Sequence, residues 1–145
     1  MKKIVITGAL GYIGTELCKL YSGFSWKYEV IAIDNRFISE RVNELKRRKI
    51  KFIQADILDI ESIKPYIEQA EIVHHLAGIT DVAYLKKEAD KEKDSLVEKV
   101  AIKGTANVLE SMNTNATIVF PSTHVVFEGL KEKKENLDEN EKTNT

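Results

Sequence analysis

Apolar and polar positions alternate along this chain in two rhythms, and the switches between them mark out its elements. Lys2 to Ile6 carries two lysines and then the β-branched run Ile4-Val5-Ile6, too short for a buried helix and suited to a strand. From Tyr12 the spacing becomes helical, with Ile13, Leu17, Leu20 and Tyr21 predicted on one face. Ser22-Gly23-Phe24-Ser25 breaks that pattern, and Trp26 is expected to cover the bottom of the core. Tyr28 to Ile33 reads as a second strand, apolar on both faces as a parallel strand between two helical layers should be. Ser39 is placed to cap the next helix, with Val42 and Leu45 inward. Lys46-Arg47-Arg48-Lys49 falls where cations suit the negative end of a helix dipole; a phosphate or nucleic-acid patch is the lesser reading of the same run.

Ile50 to Gln54 is predicted as the third strand, and Asp59 opens a short helix with Ile60, Ile63 and Ile67 on one side. Pro65 lies inside that helix and should shorten or kink it. Glu71 to Leu76 is the fourth strand, closing at the small-residue turn Ala77-Gly78. Thr80 to Asp94 interleaves Lys and Glu and reads as a solvated excursion. Ser95 with Glu98 three residues on forms a capping box, predicted to start the longest helix, in which Leu96, Val100, Gly104, Val108 and Met112 make one stripe. Ala116 to Phe120 is the fifth strand. From Leu130 the chain is Lys, Glu, Asn, Asp and Thr with only Leu137 apolar, too little to order itself. The alternation predicts an α/β fold, a doubly wound parallel sheet in the order 3-2-1-4-5, with ligands at the carboxyl ends of the strands. The expected division is an ordered domain over 1–129 and a charged tail over 130–145.

Chemistry enters at the first turn. Three glycines, Gly8, Gly11 and Gly14, stand between the first strand and the first helix. Strand, glycine turn and helix together aim free backbone N–H groups of a helix N-terminus at a phosphate. Gly8 can take the sharp turn, Gly11 lets a pyrophosphate approach the backbone, and Gly14 lets the helix pack close. Glycines needed only for packing are the plainer alternative. Asp34 favours the phosphate reading, since it closes the second strand twenty residues past Gly14, where a carboxylate can accept the hydroxyls of an adenosine ribose. The candidate cofactor contacts are therefore Gly8, Gly11, Tyr12, Ile13 and Gly14 at the turn and Asp34 and Asn35 at the end of the second strand.

The totals change this picture little. A chain of 145 residues, 43% hydrophobic and 31% charged, fits one ordinary globular domain. A formal charge of −1 argues against a dedicated nucleic-acid surface. Cys18 is alone, so no disulfide can form within the chain; a reduced, partly buried thiol and a cytoplasmic setting are expected. Lys2-Lys3 followed by apolar residues faintly suggests a signal peptide, but Thr7, Gly8 and Glu16 interrupt the run, and no stretch is long enough to span a membrane.

Other chemistries fail on spacing. A P-loop needs Lys-Ser/Thr after its last glycine, and Gly14 is followed by Thr15-Glu16; a Gly-x-Ser-x-Gly elbow is absent. His74 and His75 are adjacent on a strand and point to opposite faces, and with His124 they have no cysteine pair or carboxylate at ligand spacing, so no metal site is expected.

The Gly-x-x-Gly-x-x-Gly spacing preceded by Thr7 resembles the extended, nucleotide-sugar-modifying branch of the short-chain dehydrogenase/reductase superfamily. Further motifs agree in order: Asp56-Ile57 after the third strand, His75-Leu76-Ala77-Gly78 after the fourth, Gly104-Thr105 in the long helix, and Ser122-Thr123-His124-Val125-Val126-Phe127 after the fifth. The resemblance spans residues 2 to about 130 and implies a Rossmann-type sheet, incomplete at its C-terminal side. It also implies that Asp56 and Ile57 contact the adenine, that Ala77 and Gly78 pass the nicotinamide ribose, and that Thr123 is the catalytic hydroxyl on the reacting sugar oxygen. NAD is the implied cofactor, in preference to NADP because Asp34 would repel a 2′-phosphate, with Arg36 as the opposing argument.

Two departures from the family pattern matter. Ala101 stands where the family usually has an Asn in the long helix. The family's base is the Tyr of Tyr-x-x-x-Lys, and here Tyr12, Tyr21, Tyr28, Tyr66 and Tyr84 are followed four residues on by Glu16, Ser25, Ala32, Ala70 and Glu88. The expectation is the NAD-binding portion of an epimerase, dehydratase or reductase, inactive alone, its substrate domain and nucleotide-sugar pocket lying outside these residues. Self-association, or a partner supplying the rest, is expected with it. A non-catalytic dinucleotide-binding module is the alternative, and a methyltransferase-type domain ranks third because its glycines usually lie closer together.

Overall fold

The computed structural model describes residues 1–79 and 91–122. Five strands, β1 (Lys2–Thr7), β2 (Tyr28–Asp34), β3 (Lys51–Gln54), β4 (Ile72–His75) and β5 (Thr117–Val119), form one sheet in the order β3-β2-β1-β4-β5. Every pairing is parallel, with Ile6 opposite both Ala32 and His74, and Val73 opposite Ile118. The predicted topology is the observed one.

Strand alternation divides the core into two layers. Ile4, Ile6, Val30 and Ala32 face α1 (Tyr12–Ser22) and α2 (Ser39–Arg47), where they pack with Leu10, Cys18, Val42 and Leu45. Val5, Ile31, Ile33 and Val73 face the other way, onto Ile63 and Ile67 of α3 (Ile60–Ile67) and Val108 of α5 (Thr105–Ser111). Burial on both sides is what the near-continuous apolar runs of β1 and β2 encode. Burial pushes the Cys18 thiol up to about 12, so it is an inert packing group rather than a nucleophile.

Several expectations need correction. The inward face of α1 is Gly14, Leu17, Cys18 and Tyr21, while Ile13 and Leu20 are exposed. Small residues at 14 and 18 let the helix sit close to its support, and that turns the larger Ile13 and Leu20 outward. Trp26 is 75% exposed and covers no core. Ser39 is the first helical residue of α2 rather than its cap; Ile38 holds the cap position, half-buried against the core. The helix expected to begin at Ser95 is already formed at Lys91. It runs as α4 (Lys91–Lys99), a π-helical turn (Val100–Gly104) and α5, so Ser95 lies inside it and Lys91–Asp94 are helical rather than irregular. Leu96 is exposed, whereas Val100, Gly104, Val108 and Met112 do face the core. Pro65 sits within α3, which ends two residues later.

The α2 terminus shows why its cations cluster. Arg47 and Arg48 both pair with Glu44, at 2.6 and 2.7 Å. Lys49 follows in the left-handed region at φ 59°, with Lys49 N–H donating to Lys46 O and Ile50 N–H to Leu45 O. That is a Schellman turn with a lysine where glycine is usual, and Leu45 and Ile50 supply its apolar contact. The run ends a helix and neutralises an acid.

Candidate functional site

The carboxyl ends of β1, β2, β3 and β4 lie along one edge of the sheet, and the turn Gly8–Gly11 sits over it. Gly8 adopts φ +67°, and a Cβ there would lie 2.7 Å from the backbone of Leu76 and Ala77, so only glycine fits between the two strand ends. Gly14 is as tightly held: a Cβ would meet Gly8 O at 2.5 Å and Ala9 Cα at 2.7 Å. The third glycine therefore lets α1 rest on the turn itself rather than on the strand. Gly11 differs from both. Its Cβ would meet a single atom, Gly8 O at 3.1 Å, and otherwise open space. Packing explains Gly8 and Gly14; it does not explain Gly11.

The α1 N-terminus is left unsatisfied. Gly11 N–H donates to Gly8 O at 2.9 Å and Thr15 N–H to Gly11 O at 3.0 Å. Between them Tyr12, Ile13 and Gly14 have no carbonyl acceptor among the described residues. Tyr12 and Ile13 are 84% and 56% exposed and Gly14 is buried, and the three amides together lie at the positive end of the helix.

Asp34 lies beside this turn with only 4% of its surface exposed. Its Oδ2 accepts from Leu10 N–H at 2.9 Å, tying the end of β2 to the glycine turn. Its Oδ1 accepts from Arg36 N–H at 3.0 Å and Arg36 Nε–H at 3.1 Å, and Nη2 approaches Oδ2 at 3.4 Å. Arg41, from the first turn of α2, donates to Leu10 O and braces the turn from the other side. Asn35 donates to Asp56 Oδ2 at 3.3 Å, and Asp56 Oδ1 accepts from Leu58 N–H at 2.9 Å. Asn35 and Asp56 thus stand together at the β2–β3 end of the edge. The Ile57 side chain is buried where Gly104 leaves room, since a Cβ on Gly104 would lie 2.5 Å from Ile57 Cδ1, and its carbonyl accepts from Asn107 Nδ2.

At the β4 end, Ala77 is half-buried and Gly78 is exposed with open space around it. Their support is His75. Its Nδ1 is hydrogen-bonded to Thr7 Oγ1 at 2.8 Å and its Nε2 to Thr105 Oγ1 at 3.0 Å, while Ala77 N–H donates to Thr7 Oγ1. Phe120 stacks on the ring at 5.4 Å. His74 points to the opposite face, where Tyr21 OH meets its Nε2 at 2.8 Å. Burial lowers the pKa of both imidazoles.

The structure thus assembles Gly8, Gly11, Tyr12, Ile13, Gly14, Asp34, Asn35, Asp56, Ala77 and Gly78 along one edge and turns the Ile57 side chain into the core. Thr123 lies outside the described residues. Leu10, Arg41 and the Thr7–His75–Thr105 group escaped the sequence reading. Thr7, His75 and Thr105 each stood in a family motif, but nothing in the spacing joined them. A separate cleft of about 380 Å³ between α1 and α2, lined by Thr15, Lys19, Arg41 and Arg48 among others, lies off this edge.

A sequence profile of the 3-beta hydroxysteroid dehydrogenase/isomerase family matches residues 5–145. The chain is 29% identical over 110 residues to uncharacterized protein 052L of Frog virus 3, covering 75% of this chain and 29% of that protein. It is 36% identical over 88 residues to UDP-glucose 4-epimerase of Bacillus subtilis, covering 54% and 25%. The structure of UDP-glucose-4-epimerase from Stenotrophomonas maltophila, with bound NAD and formylated UDP-arabinopyranose, superposes with a TM-score of 0.76 at 20% identity over 99% of this chain and 43% of that one. The chain spans less than half the length of each. With the glycine turn, the parallel sheet and the profile in agreement, the chain belongs to the 3-beta hydroxysteroid dehydrogenase/isomerase family, within the extended short-chain dehydrogenase/reductases.

Proposed function

We propose that these residues form the NAD-binding portion of a nucleotide-sugar epimerase, dehydratase or reductase that works by hydride transfer at a sugar carbon. The observation that carries the reading is the open space at Gly11 next to three unsatisfied amides at the start of an eleven-residue helix. A dinucleotide pyrophosphate fits that charge and shape. In this reading Asp34, one strand over, accepts from the adenosine ribose, and Asp56 takes the adenine contact that the family resemblance implies. NAD supplies the hydride acceptor; the chain's own residues bind and orient it, and Ala77 and Gly78 leave a path along the β4 end. Thr123 retains, in this reading, the hydroxyl that polarises the sugar oxygen.

No tyrosine in the 145 residues is followed by lysine four positions on, so the proton-abstracting partner of Thr123 is not among them. Hydride transfer then needs a segment or chain that brings a base. The exposed Ile102, Leu109 and Phe120 support association with a second copy or with such a segment. The same missing base favours the alternative, a non-catalytic dinucleotide-binding module. Calorimetric titration of the 145-residue chain with NAD and with NADP tests the reading. NAD should bind, and bind more tightly; preference for NADP or binding of neither overturns it.

A further inference from the structure

An ionised carboxylate has about four lone-pair sites, two on each oxygen. At Asp34 all four are engaged: Oδ1 by Arg36 N–H and Nε–H, Oδ2 by Leu10 N–H and, more distantly at 3.4 Å, by Arg36 Nη2. The two backbone donors are fixed by the glycine turn and by the chain direction after β2. The two guanidinium donors belong to a side chain that is 56% exposed and can swing away. They take one site on each oxygen, and that pair of sites is what the two hydroxyls of a vicinal diol require.

We propose that Arg36 is a specificity-determining residue that competes with the cofactor's adenosine ribose for Asp34, its guanidinium fork occupying the carboxylate positions the diol must take. The inference rests on the NAD-binding reading and adds a cost to it. A diol binds only after the Nε and Nη2 contacts are given up. Once displaced, the guanidinium stands beside the ribose, so a 2′-phosphate meets a cation there as well as the Asp34 anion. Arg36 therefore weakens binding of the free diol and softens the rejection of the phosphorylated one.

The sign separates this from generic electrostatics. The pyrophosphate is anionic, so deleting a nearby cation should weaken NAD binding if attraction were all that Arg36 contributed. Competition predicts the reverse. The gain is bounded by the strength of a half-exposed ion pair, roughly a two- to fivefold tightening.

The test is calorimetry on the full chain and on Arg36→Ala, Arg36→Lys, Asp34→Asn and the Arg36→Ala/Asp34→Asn double variant, titrated with NAD and NADP, with melting curves for each. Arg36→Ala should bind NAD roughly two- to fivefold more tightly and NADP more weakly than the parent. Arg36→Lys, which keeps the charge but loses the fork, should fall between the two for NAD. In the Asp34→Asn background, which keeps an acceptor for Leu10 N–H, deleting Arg36 should give no tightening. If NAD binds and Arg36→Ala leaves its affinity unchanged or lowers it, the competition is overturned while the NAD reading stands. If neither parent nor variants bind NAD while all melt cooperatively, both fall together.

Discussion

The three glycines of the first turn have different jobs, and substituting them one at a time should separate stability from binding. At Gly14 an added Cβ would sit 2.5 Å from Gly8 O, 2.7 Å from Ala9 Cα and 2.8 Å from Ala9 O. All three are backbone atoms of the turn, so no side chain can yield. Overpacking of this kind costs about 1–3 kcal/mol, and the rigid partners place Gly14→Ala near the upper end. At roughly 3 °C per kcal/mol for a chain of this size, the melting temperature should fall by about 10 °C. At Gly11 the backbone is ordinary, φ −73° and ψ 175°, and the one contact is 3.1 Å. Gly11→Val loses a favourable helix N-cap, about 1 kcal/mol at most, and regains about 0.4–1 kcal/mol from a stiffer unfolded chain. Its melting temperature should move by less than about 4 °C. Its side chain, however, fills the open space proposed for the pyrophosphate, and NAD affinity should drop at least about tenfold, or 1.4 kcal/mol. Circular-dichroism melts and calorimetry on the two variants provide the comparison. A Gly11→Val chain that binds NAD like the parent, or a Gly14→Ala chain that melts like it, would refute the division of labour.

Stability should also depend on pH through the two buried imidazoles. Both folded-state pKa values lie below the ordinary 6.5, so between those lowered values and 6.5 the unfolded chain holds more protons than the folded one. Their contribution is fully present above 6.5 and is lost as pH falls through 6.5 toward the folded values. Urea midpoints should therefore decline from pH 8 to pH 5.5, less steeply in His75→Asn; midpoints that rise on acidification, or an unchanged slope in the variant, contradict this. Lys49→Gly should stabilise the chain by about 1 kcal/mol, since a lysine there holds a left-handed conformation that glycine adopts freely. A lower melting temperature in that variant would show that the lysine side chain contributes more than its backbone costs.

The strand order, the two-layer core and the glycine turn were legible because they depend on short-range spacing: alternating apolar runs, glycines between a strand and a helix, and an acid twenty residues on. What was not legible depends on packing distance and side-chain direction. The face of α1 was misread because hydrophobicity alone favours Ile13 and Leu20, whereas close approach favours Gly14 and Cys18. Ser95 and Glu98 match a capping box, yet the same pair fits inside a helix already running from Lys91, whose Lys- and Glu-rich turns are good helix formers. Asp34 was visible as an acid at the right distance. That Leu10 N–H and Arg36 saturate it was not, because the Leu10 contact crosses twenty-four residues and the Arg36 contact depends on one side chain's direction. Thr7, His75 and Thr105 are likewise brought together only by the β1–β4 pairing and the placement of α5.

In the proposed reading the open α1 N-terminus holds the cofactor's phosphates. Amide NMR of the labelled 145-residue chain during NAD titration measures this most directly. Saturable shifts are expected at Tyr12, Ile13 and Gly14, accompanied by Asp34 and by Ala77 and Gly78 along the same edge. Unmoved amides at the glycine turn, or shifts confined to the α1–α2 cleft around Lys19 and Arg48, would contradict it.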